Sequence, residues 1–351
     1  MSNFFDKLLK TADNKYAGAA SDGNLADVLE YLDTGSYIMN ACLSGSIYGG
    51  LPSNKVTALA GEPSTGKTFY ALHIAKQFLE DKKDGAVFYF ESESAVTTDM
   101  LVERGIDTSR FYIVPVTTIQ EFRTQAVKIL DDFLAVDEKS RKPLFFVLDS
   151  LGMLSTTKEV DDIAQGEDKR DMTRAQLIRG AFRVLTLKLG RAGVALLVTN
   201  HTYNVVGAYV PTKTMGGGDG LTYAASTIVY LSKKKKSEGE GKDKEVTGAI
   251  IKVKVNKSRL TVENKEVETL LDYQKGLDRY YGLLEIAEKY KIVTAVSNKY
   301  EFPDGTKAFE KAIIKTPEKF FTEDVLAKIE EAVKKEFRYG SANTLDSTDI
   351  E

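Results

Sequence analysis

The sequence predicts an α/β fold in which a mostly parallel central sheet is flanked by helices on both faces. From residue 36 to residue 271, short apolar runs alternate with amphipathic segments whose apolar residues recur at helical spacing. A glycine-rich stretch, GEPSTGKT at residues 61–68, follows one such strand and precedes one such helix, which is where a phosphate-binding loop belongs. At 351 residues the chain has room for one large domain and a small appendage.

The composition excludes several classes of protein. Hydrophobic residues make up 42% of the chain and charged residues 28%, no apolar run approaches a membrane span, and residues 1–7 lack the regions of a signal peptide. A single cysteine, Cys42, allows no internal disulfide. We therefore expect a cytoplasmic protein with no membrane partner. Because the net charge is -3, any nucleic acid would have to bind local basic patches.

The N-terminal segment, residues 1–33, precedes the predicted core. Its pattern predicts a short helix, a joint rich in small residues and a second helical turn. Apolar residues Phe4, Phe5, Leu8 and Leu9 fit an arm that docks on another molecule. A frayed terminus explains the same pattern equally well.

The core, residues 34–275, is predicted from its apolar and amphipathic runs. The predicted strands are residues 56–60, 86–90, 111–114, 144–148, 194–199, 226–231 and 247–255. The predicted helices are residues 69–80, 98–104, 119–134 and 173–189. Residues 233–245 start as a lysine run and become acidic, so we prefer a solvated hairpin loop there to a DNA-contacting patch.

The pattern changes at residue 276, and residues 276–340 predict a small C-terminal α/β lobe. It begins with a helix near residues 283–287, continues with short strands around a turn at residues 303–305, and ends with the amphipathic helix Glu323–Phe337. The polar last residues, 341–351, predict a disordered tail.

The phosphate loop carries the clearest chemistry in the sequence. Its glycines permit backbone angles that other residues disfavour, so loop amides and the next helix's first turn can point at an anion. Lys67 is expected to reach the β- and γ-phosphates of ATP, and the Thr68 hydroxyl to ligate Mg²⁺. The nucleotide-binding residues predicted from this stretch are Gly61, Glu62, Pro63, Ser64, Thr65, Gly66, Lys67, Thr68 and Phe69.

Polar residues at the ends of three further strands are predicted to join this loop. Asp149 ends an apolar run, at the sheet edge where ligands bind, and is predicted to be the acid associated with magnesium. Glu91 and Glu93 follow another strand, and one of them is expected to polarise the attacking water, although the residues alone do not decide which. His201 is either a sensor of the γ-phosphate or a structural histidine.

Several short motifs complete the pattern. They are TGS at residues 34–36, LSG at 43–45, GGL at 49–51, DMTRA at 171–175, NHTY at 200–203, MGGG at 215–218, KSR at 257–259 and YGLL at 281–284. With the phosphate loop, they resemble the RecA family of DNA recombinases, and within it the bacteriophage UvsX type. The resemblance implies a RecA-type P-loop ATPase core that binds ATP and Mg²⁺. It also implies helical filaments on single-stranded DNA and strand exchange with a homologous duplex.

The resemblance also implies roles for individual residues. Glu93, rather than Glu91, matches the catalytic glutamate, and His201 matches the γ-phosphate sensor. Lys257 and Arg259 match a basic pair that reaches the γ-phosphate bound by the neighbouring subunit. With Lys67, these residues make up the predicted catalytic set.

Met100 stands where RecA stacks a tyrosine on adenine, which leaves the base selectivity open. Two family loops bind DNA and match roughly residues 155–172 and 202–223; the first is locally acidic, so no residue in it is assigned. The predicted DNA-binding residues are Arg174, Arg179, Arg183, Lys213, Thr214, Met215, Gly216, Gly217 and Gly218.

The resemblance further implies partners. In the family the N-terminal arm packs on the adjacent subunit, and the recombinase works beside a single-strand-binding protein and a mediator that loads it. A phage origin would place the protein in an infected bacterial host cell. Two alternatives remain: a hexameric helicase-like motor on the same core, or a non-hydrolysing ATP-gated regulator, against which the intact Glu93 argues.

Overall fold

A computed structural model of the chain describes residues 4–14, 16–167, 171–204, 213–238 and 245–340. The predicted tail at 341–351, residues 205–212 of the second predicted DNA loop, residues 168–170 of the first, and residues 239–244 of the predicted hairpin loop lie outside the described residues.

Fifteen strands occur in the described residues. Two of them pair near the N-terminus, β1 (Tyr31–Leu32) and β2 (Leu51–Pro52). The main sheet contains β3 (Val56–Gly61), β4 (Ala86–Glu91), β5 (Phe111–Pro115), β6 (Leu144–Asp149), β7 (Ala195–Asn204), β8 (Lys213–Met215), β9 (Thr227–Glu238), β10 (Glu245–Ser258), β11 (Glu266–Asp272) and β12 (Gly276–Leu277). The C-terminal lobe has a three-stranded antiparallel sheet of β13 (Thr294–Val296), β14 (Lys299–Glu301) and β15 (Lys307–Ala308).

Eleven α-helices occur in the described residues. They are α1 (Phe4–Lys10), α2 (Tyr37–Ser44), α3 (Lys67–Asp81), α4 (Thr98–Glu103), α5 (Ile119–Ala135), α6 (Thr157–Ala164), α7 (Arg174–Ala192), α8 (Asp219–Ala224), α9 (Leu283–Lys289), α10 (Glu310–Lys315) and α11 (Glu323–Phe337).

The strands of the main sheet follow the order β12-β11-β10-β9-β3-β7-β6-β4-β5, with β8 beside β7. From β9 to β5 in this order, neighbouring strands run parallel, whereas β10, β11 and β12 are antiparallel additions. The predicted fold class, a mostly parallel sheet between helices with a small C-terminal lobe, is confirmed.

Two hydrophobic clusters cover the two faces of this sheet. Side chains alternate along a strand, so the neighbours Val147 and Leu148 of β6 belong to different clusters. The first core cluster packs against α2, α3 and the C-terminal helices, and the second against α5 and α7. The chain can therefore bury nearly continuous apolar strands, as parallel sheets require.

The parallel register brings the predicted functional residues to one edge of the sheet. His201 of β7 lies opposite Gly61 of β3, and Asp149 of β6 lies opposite Glu91 of β4. Because these strands are parallel neighbours, their carboxyl ends meet where ligands bind in open α/β sheets.

Two predictions about local structure are wrong. Among the described residues of the segment 1–33, the expected second helical turn is not found, since a short 3₁₀ turn (Ala20–Asp22) is followed by an irregular segment and β1. The lysine run at 233–236 belongs to a strand and not to a hairpin loop, because β9 extends to Glu238 and pairs with β10 along its length.

Candidate nucleotide-binding site

The phosphate loop joins the end of β3 to the start of α3. Gly61 leaves no room for a side chain, because a Cβ there would lie 2.6 Å from Thr65 Oγ1 and 2.9 Å from Leu231 O. Gly66 has a φ of +96°, a conformation that disfavours a side chain. α3 begins at the next residue, Lys67, so its free N-terminal amides face the loop. This arrangement has the geometry of an anion site.

Lys67 is buried beside the loop. Its Nζ donates hydrogen bonds to the carbonyl oxygens of Gly61, at 3.0 Å, and Glu62, at 2.9 Å. Burial lowers the pKa of Lys67, while the carboxylates of Asp149 and Glu93 act in the opposite direction. The lysine and these two acids therefore lie close enough to influence one another's charge. Charged Lys67 could donate hydrogen bonds to a bound triphosphate.

Asp149 is buried at the end of β6. Tyr89 Oη donates a 2.5 Å hydrogen bond to Asp149 Oδ2, and Thr199 Oγ1 donates to the other carboxylate oxygen. Burial, and secondly the Asp149 charge, hold the pKa of Tyr89 well above its usual range, so its hydroxyl remains a donor. The Thr68 hydroxyl makes no hydrogen bond with any residue that the structure describes. Such oxygen donors fit Mg²⁺, which takes one or two protein oxygens together with phosphate.

The two glutamates after β4 have different surroundings. Glu91 is buried and accepts hydrogen bonds from three successive backbone amides, the shortest at 2.8 Å from Ser94. Glu93 lies beyond the end of β4, where its carboxylate accepts a 2.6 Å hydrogen bond from Ser150 Oγ and lies 3.4 Å from His201 Nε2. Glu91 therefore shapes the loop, and Glu93 presents its carboxylate to the residues around the phosphate site.

His201 connects this carboxylate to the segment that follows β7. Asn200 Nδ2 donates a 2.9 Å hydrogen bond to Gly216 O, and Gly216 N donates a 3.0 Å hydrogen bond to His201 O. Gly152 packs closely against both side chains, since a Cβ there would lie 3.0 Å from His201 Cδ2 and 3.1 Å from Asn200 Oδ1. A movement of His201 would therefore reach the glycines of the second predicted DNA loop.

Beyond the end of β7, the next described element of that second loop is β8. Lys213 and Thr214 are exposed, but Met215 is only 7% exposed and packs in the second core cluster. The Met215 side chain therefore anchors the loop and is not presented to a ligand. Lys213 Nζ lies 2.8 Å from Glu62 Oε1, so a residue predicted to bind DNA and one predicted to bind nucleotide form an ion pair.

The three glycines after Met215 pack against their surroundings. A Cβ at Gly217 would lie 2.8 Å from Ile178 Cδ1, and one at Gly218 would lie 3.2 Å from Ala175 Cβ, both on α7. Gly217 and Gly218 also have φ values of +84° and +72°. Glycine is needed here for close approach to α7, and Gly216 is fixed by its bonds to β7.

The three arginines of α7 do not form one group. Arg174 turns inward, and its guanidinium donates a 2.9 Å hydrogen bond to a backbone carbonyl of the segment after β6. Arg179 and Arg183 are exposed and line an open cavity of about 600 Å³ together with Tyr223 and Arg259. Two predicted DNA contacts thus lie beside a residue predicted to act at a neighbouring subunit.

Lys257 and Arg259 lie towards the opposite end of the strands from the phosphate loop. Lys257 of β10 is opposite Ile228 of β9, which is opposite Ala58 of β3, whereas the loop begins at Gly61. β10 runs away from the loop, so Arg259 lies roughly 15 Å from it along the strand direction, at about 3.3 Å per residue. The pair is thus remote from the phosphate loop of its own subunit.

Met100 lies on α4, near Phe69, the residue that follows the phosphate loop. The guanidinium of Arg104 donates a 3.0 Å hydrogen bond to Met100 O and lies 5.2 Å from the Phe69 ring centroid. A neighbouring cavity of about 380 Å³ is lined by Phe69, Arg104 and Tyr273 among others, but not by Met100. Aromatic and guanidinium groups of this kind suit a planar base.

Sequence reasoning missed Tyr89, Thr199 and Arg104 as neighbours of the site. Tyr89 and Thr199 had a usable signal, because each is a hydroxyl-bearing residue near the carboxyl end of a strand already assigned to the ligand edge. Arg104 had none, since it ends a short helix among other charged residues.

A phosphate loop between a parallel strand and a helix, with a buried acid at the end of a nearby strand, defines the class of P-loop nucleotide-binding proteins. Residues 14–278 match the family described as the RecA N-terminal domain. The chain therefore belongs to the RecA family, whose members are DNA-dependent ATPases of recombination and repair.

Two relatives illustrate the similarity. The chain is 28% identical over 298 residues to the recombination and repair protein of Enterobacteria phage T4, which covers 85% of this chain and 73% of that protein. It is 27% identical over 289 residues to the RecA protein of Paracoccus denitrificans, covering 81% and 75%. Among the described residues, no helix has the length and apolar character needed to cross a membrane.

Proposed function

We propose that the protein is a DNA-stimulated ATPase that forms helical filaments on single-stranded DNA and pairs that strand with a homologous duplex. Base pairing would read the sequence, while the protein holds the DNA backbone. Binding of ATP with Mg²⁺ would stabilise the active filament, and hydrolysis would release it. A single-strand-binding protein and a loading mediator complete the proposed set of partners.

One observation carries this proposal: the phosphate loop and the Lys257–Arg259 pair lie towards opposite ends of the strands of the same sheet. A basic residue that stabilises the transferred phosphoryl group must reach it directly. Because Arg259 is remote from its own loop, it would act on the nucleotide of an adjacent subunit. Head-to-tail contacts of this kind generate filaments or rings rather than symmetric dimers.

Within the proposed site, each residue of the chain has a defined task. Glu93 would orient and deprotonate the attacking water, and Lys67 would neutralise charge on the phosphates. His201 would contact the γ-phosphate. A shift of His201 on this contact would move Gly216, because hydrogen bonds join Gly216 to the end of β7. Bound Mg²⁺, held through Thr68 and Asp149, would supply further charge neutralisation.

Two exposed features support self-association. The helix α1 exposes Phe4 and Phe5 by 67% and 69%, as an arm that packs on another subunit would. β5 ends the main sheet without a further described partner and exposes Tyr112 and Ile113 by 49% and 38%. An exposed edge strand is a surface on which another chain can pair.

The test is ATP hydrolysis with and without single-stranded DNA, with Lys67→Ala as the control. We expect strong stimulation by DNA in the wild type and none in the variant, because Lys67 is the charged donor of the loop. Measurable ATP binding without any stimulation would instead favour the regulator, and the DNA-binding assignments would then be abandoned.

The helicase-like alternative shares the site and differs in the assembly. A head-to-tail contact gives a closed ring when its rotation closes and an open filament when it does not. Electron microscopy of the protein with ATP and single-stranded DNA distinguishes the two, since rings that unwind duplex DNA would favour the motor.

A further inference from the structure

The ion pair between Glu62 and Lys213 joins two segments that the sequence assigns to different ligands. Glu62 belongs to the phosphate loop and Lys213 begins β8, and 2.8 Å separate Glu62 Oε1 from Lys213 Nζ. In the described residues, it directly connects the phosphate loop to the second predicted DNA loop.

The backbone of Glu62 is held by the phosphate loop itself. Its carbonyl oxygen accepts hydrogen bonds from Lys67 Nζ at 2.9 Å and from Thr65 Oγ1 at 2.8 Å. The following residue, Pro63, further restricts the conformations that Glu62 can adopt. The backbone from which the Glu62 side chain extends is therefore held by the same atoms that surround the phosphate site.

Lys213 is held from the other side. It lies opposite Asn204 in the pairing of β8 with β7, and the buried Met215 anchors the strand two residues later. Gly216 then binds the backbone of His201. Lys213 thus has a defined position relative to both the sensor strand and the phosphate loop.

We propose that Glu62 is a positioning residue whose carboxylate competes with DNA phosphates for the ammonium group of Lys213. While the pair is formed, the second loop lacks one of its positive charges for DNA. A nucleotide that draws Lys67 to its phosphates also changes the bonding of the Glu62 carbonyl, so the competition depends on nucleotide. This inference rests on the proposed DNA-binding function and names a regulatory contact within it.

The exposure of the pair suits such a competition. The side chains of Lys213 and Glu62 are 44% and 53% exposed, so solvent screens their attraction and the pair is weak. A DNA phosphate can therefore displace the carboxylate. Each lysine that neutralises a phosphate of single-stranded DNA steepens the logarithmic dependence of affinity on salt by about 0.7.

The test is fluorescence anisotropy of a labelled single-stranded oligonucleotide, titrated with protein at several salt concentrations, without nucleotide and with a non-hydrolysable ATP analogue. The variants are Glu62→Gln, Lys213→Gln and the double variant. Glu138→Gln is the matched control, because this exposed glutamate makes no ion pair with a described residue and changes the net charge equally. Thermal unfolding of each variant checks that it folds.

The expected result is a gain of about two- to five-fold in DNA affinity for Glu62→Gln without nucleotide, with a steeper salt dependence, as freeing one partner of an exposed ion pair predicts. The gain should disappear in the Lys213→Gln background and be absent in Glu138→Gln. An equal gain in the Lys213→Gln background, a gain matched by the control, or an unchanged or lower affinity would overturn the inference. Wild-type protein that binds no DNA would refute the proposed function itself.

Discussion

At the scale of single residues, the two glutamates after β4 show how chemically identical side chains receive different tasks. Glu91 uses both carboxylate oxygens to hold the amides of the loop, so it has little capacity left for a water molecule. Glu93 lies among Ser150, His201 and, through its charge, Lys67. The surroundings thus favour Glu93 as the general base.

Glu93→Gln should bind ATP and DNA but hydrolyse ATP roughly 10²- to 10⁴-fold more slowly, the usual contribution of a general base. Complexes with DNA should therefore live longer, which stopped-flow dissociation measures alongside steady-state hydrolysis. Glu91→Gln is the comparison, and it should lower the unfolding temperature because three amides lose a charged acceptor. Wild-type turnover in Glu93→Gln would move the catalytic role elsewhere.

The sequence anticipated the residues at strand ends more completely than their contacts. Gly61, Asp149 and His201 could be placed at one edge because apolar parallel strands put their carboxyl ends together. The pairing of Glu62 with Lys213 had no signal, since the partners belong to loops far apart in the chain. The burial of Met215 was also hidden, because a methionine beside glycines carries no periodicity.

At the scale of elements, the sequence predicted the apolar strands and the amphipathic helices well. It did not predict a helix that is buried on all sides or a strand segment that is exposed to solvent. Helix α2 was not predicted because all eight of its residues are buried, which removes the amphipathic pattern. The outer part of β9 was not predicted because its lysines give it no apolar residues. β3 pairs with β9 only as far as Leu231, so the four lysines beyond it pair with β10 on one side and with no other described strand, and they lack alternation.

The C-terminal helix α11 is joined to the rest of the chain through Glu336. Burial opposes the ionisation of this carboxyl, but hydrogen bonds from Lys265, Lys289 and Tyr290 outweigh it and lower the pKa of Glu336 to about 2. Lys265 follows β10 and Lys289 ends α9, so one carboxylate connects the lobe's last helix to two other segments.

Glu336→Gln should lower the free energy of unfolding at pH 7 by about 1–3 kcal/mol, because the amide has no negative charge to pair with the two lysines around this largely buried side chain. Since the folded pKa is depressed, the stabilisation is complete above the unfolded value near 4.3 and is lost as pH falls towards 2. Urea unfolding between pH 7 and pH 2.5 should show the free energies of unfolding of the wild type and the variant approaching each other as the pH falls. Glu331→Gln, which removes an exposed pair on the same helix, should have little effect.

At the scale of the whole molecule, the separation of the phosphate loop from Arg259 makes the proposed active site a property of two subunits. Glu93→Gln and Arg259→Ala should each be nearly inactive alone but should regain activity when mixed. About one quarter of the contacts in a random equal mixture would join an intact Glu93 to an intact Arg259 across a head-to-tail interface.

Steady-state hydrolysis of such mixtures, at constant total protein with saturating DNA, measures the recovery. If Arg259 acted on the nucleotide of its own subunit, no mixed contact would be complete and the activity would stay at the mean of the two variants. The control is a mixture of the single variant Arg259→Ala with a double variant that carries both Arg259→Ala and Glu93→Gln. This mixture contains no intact Arg259.

If Arg259 acts on a neighbouring subunit as proposed, the placement of the phosphate loop and the Lys257–Arg259 pair at opposite ends of the strands also gives an open assembly two unequal ends. At one end, the nucleotide of the last subunit has no Arg259 from a neighbour. At the other end, the basic pair of the last subunit has no neighbouring nucleotide. An open chain therefore has one fewer working site than it has subunits, whereas a closed ring loses none. Turnover per subunit should consequently rise with chain length and level off, and growth and shrinkage should differ at the two ends because only one of them exposes bound ATP.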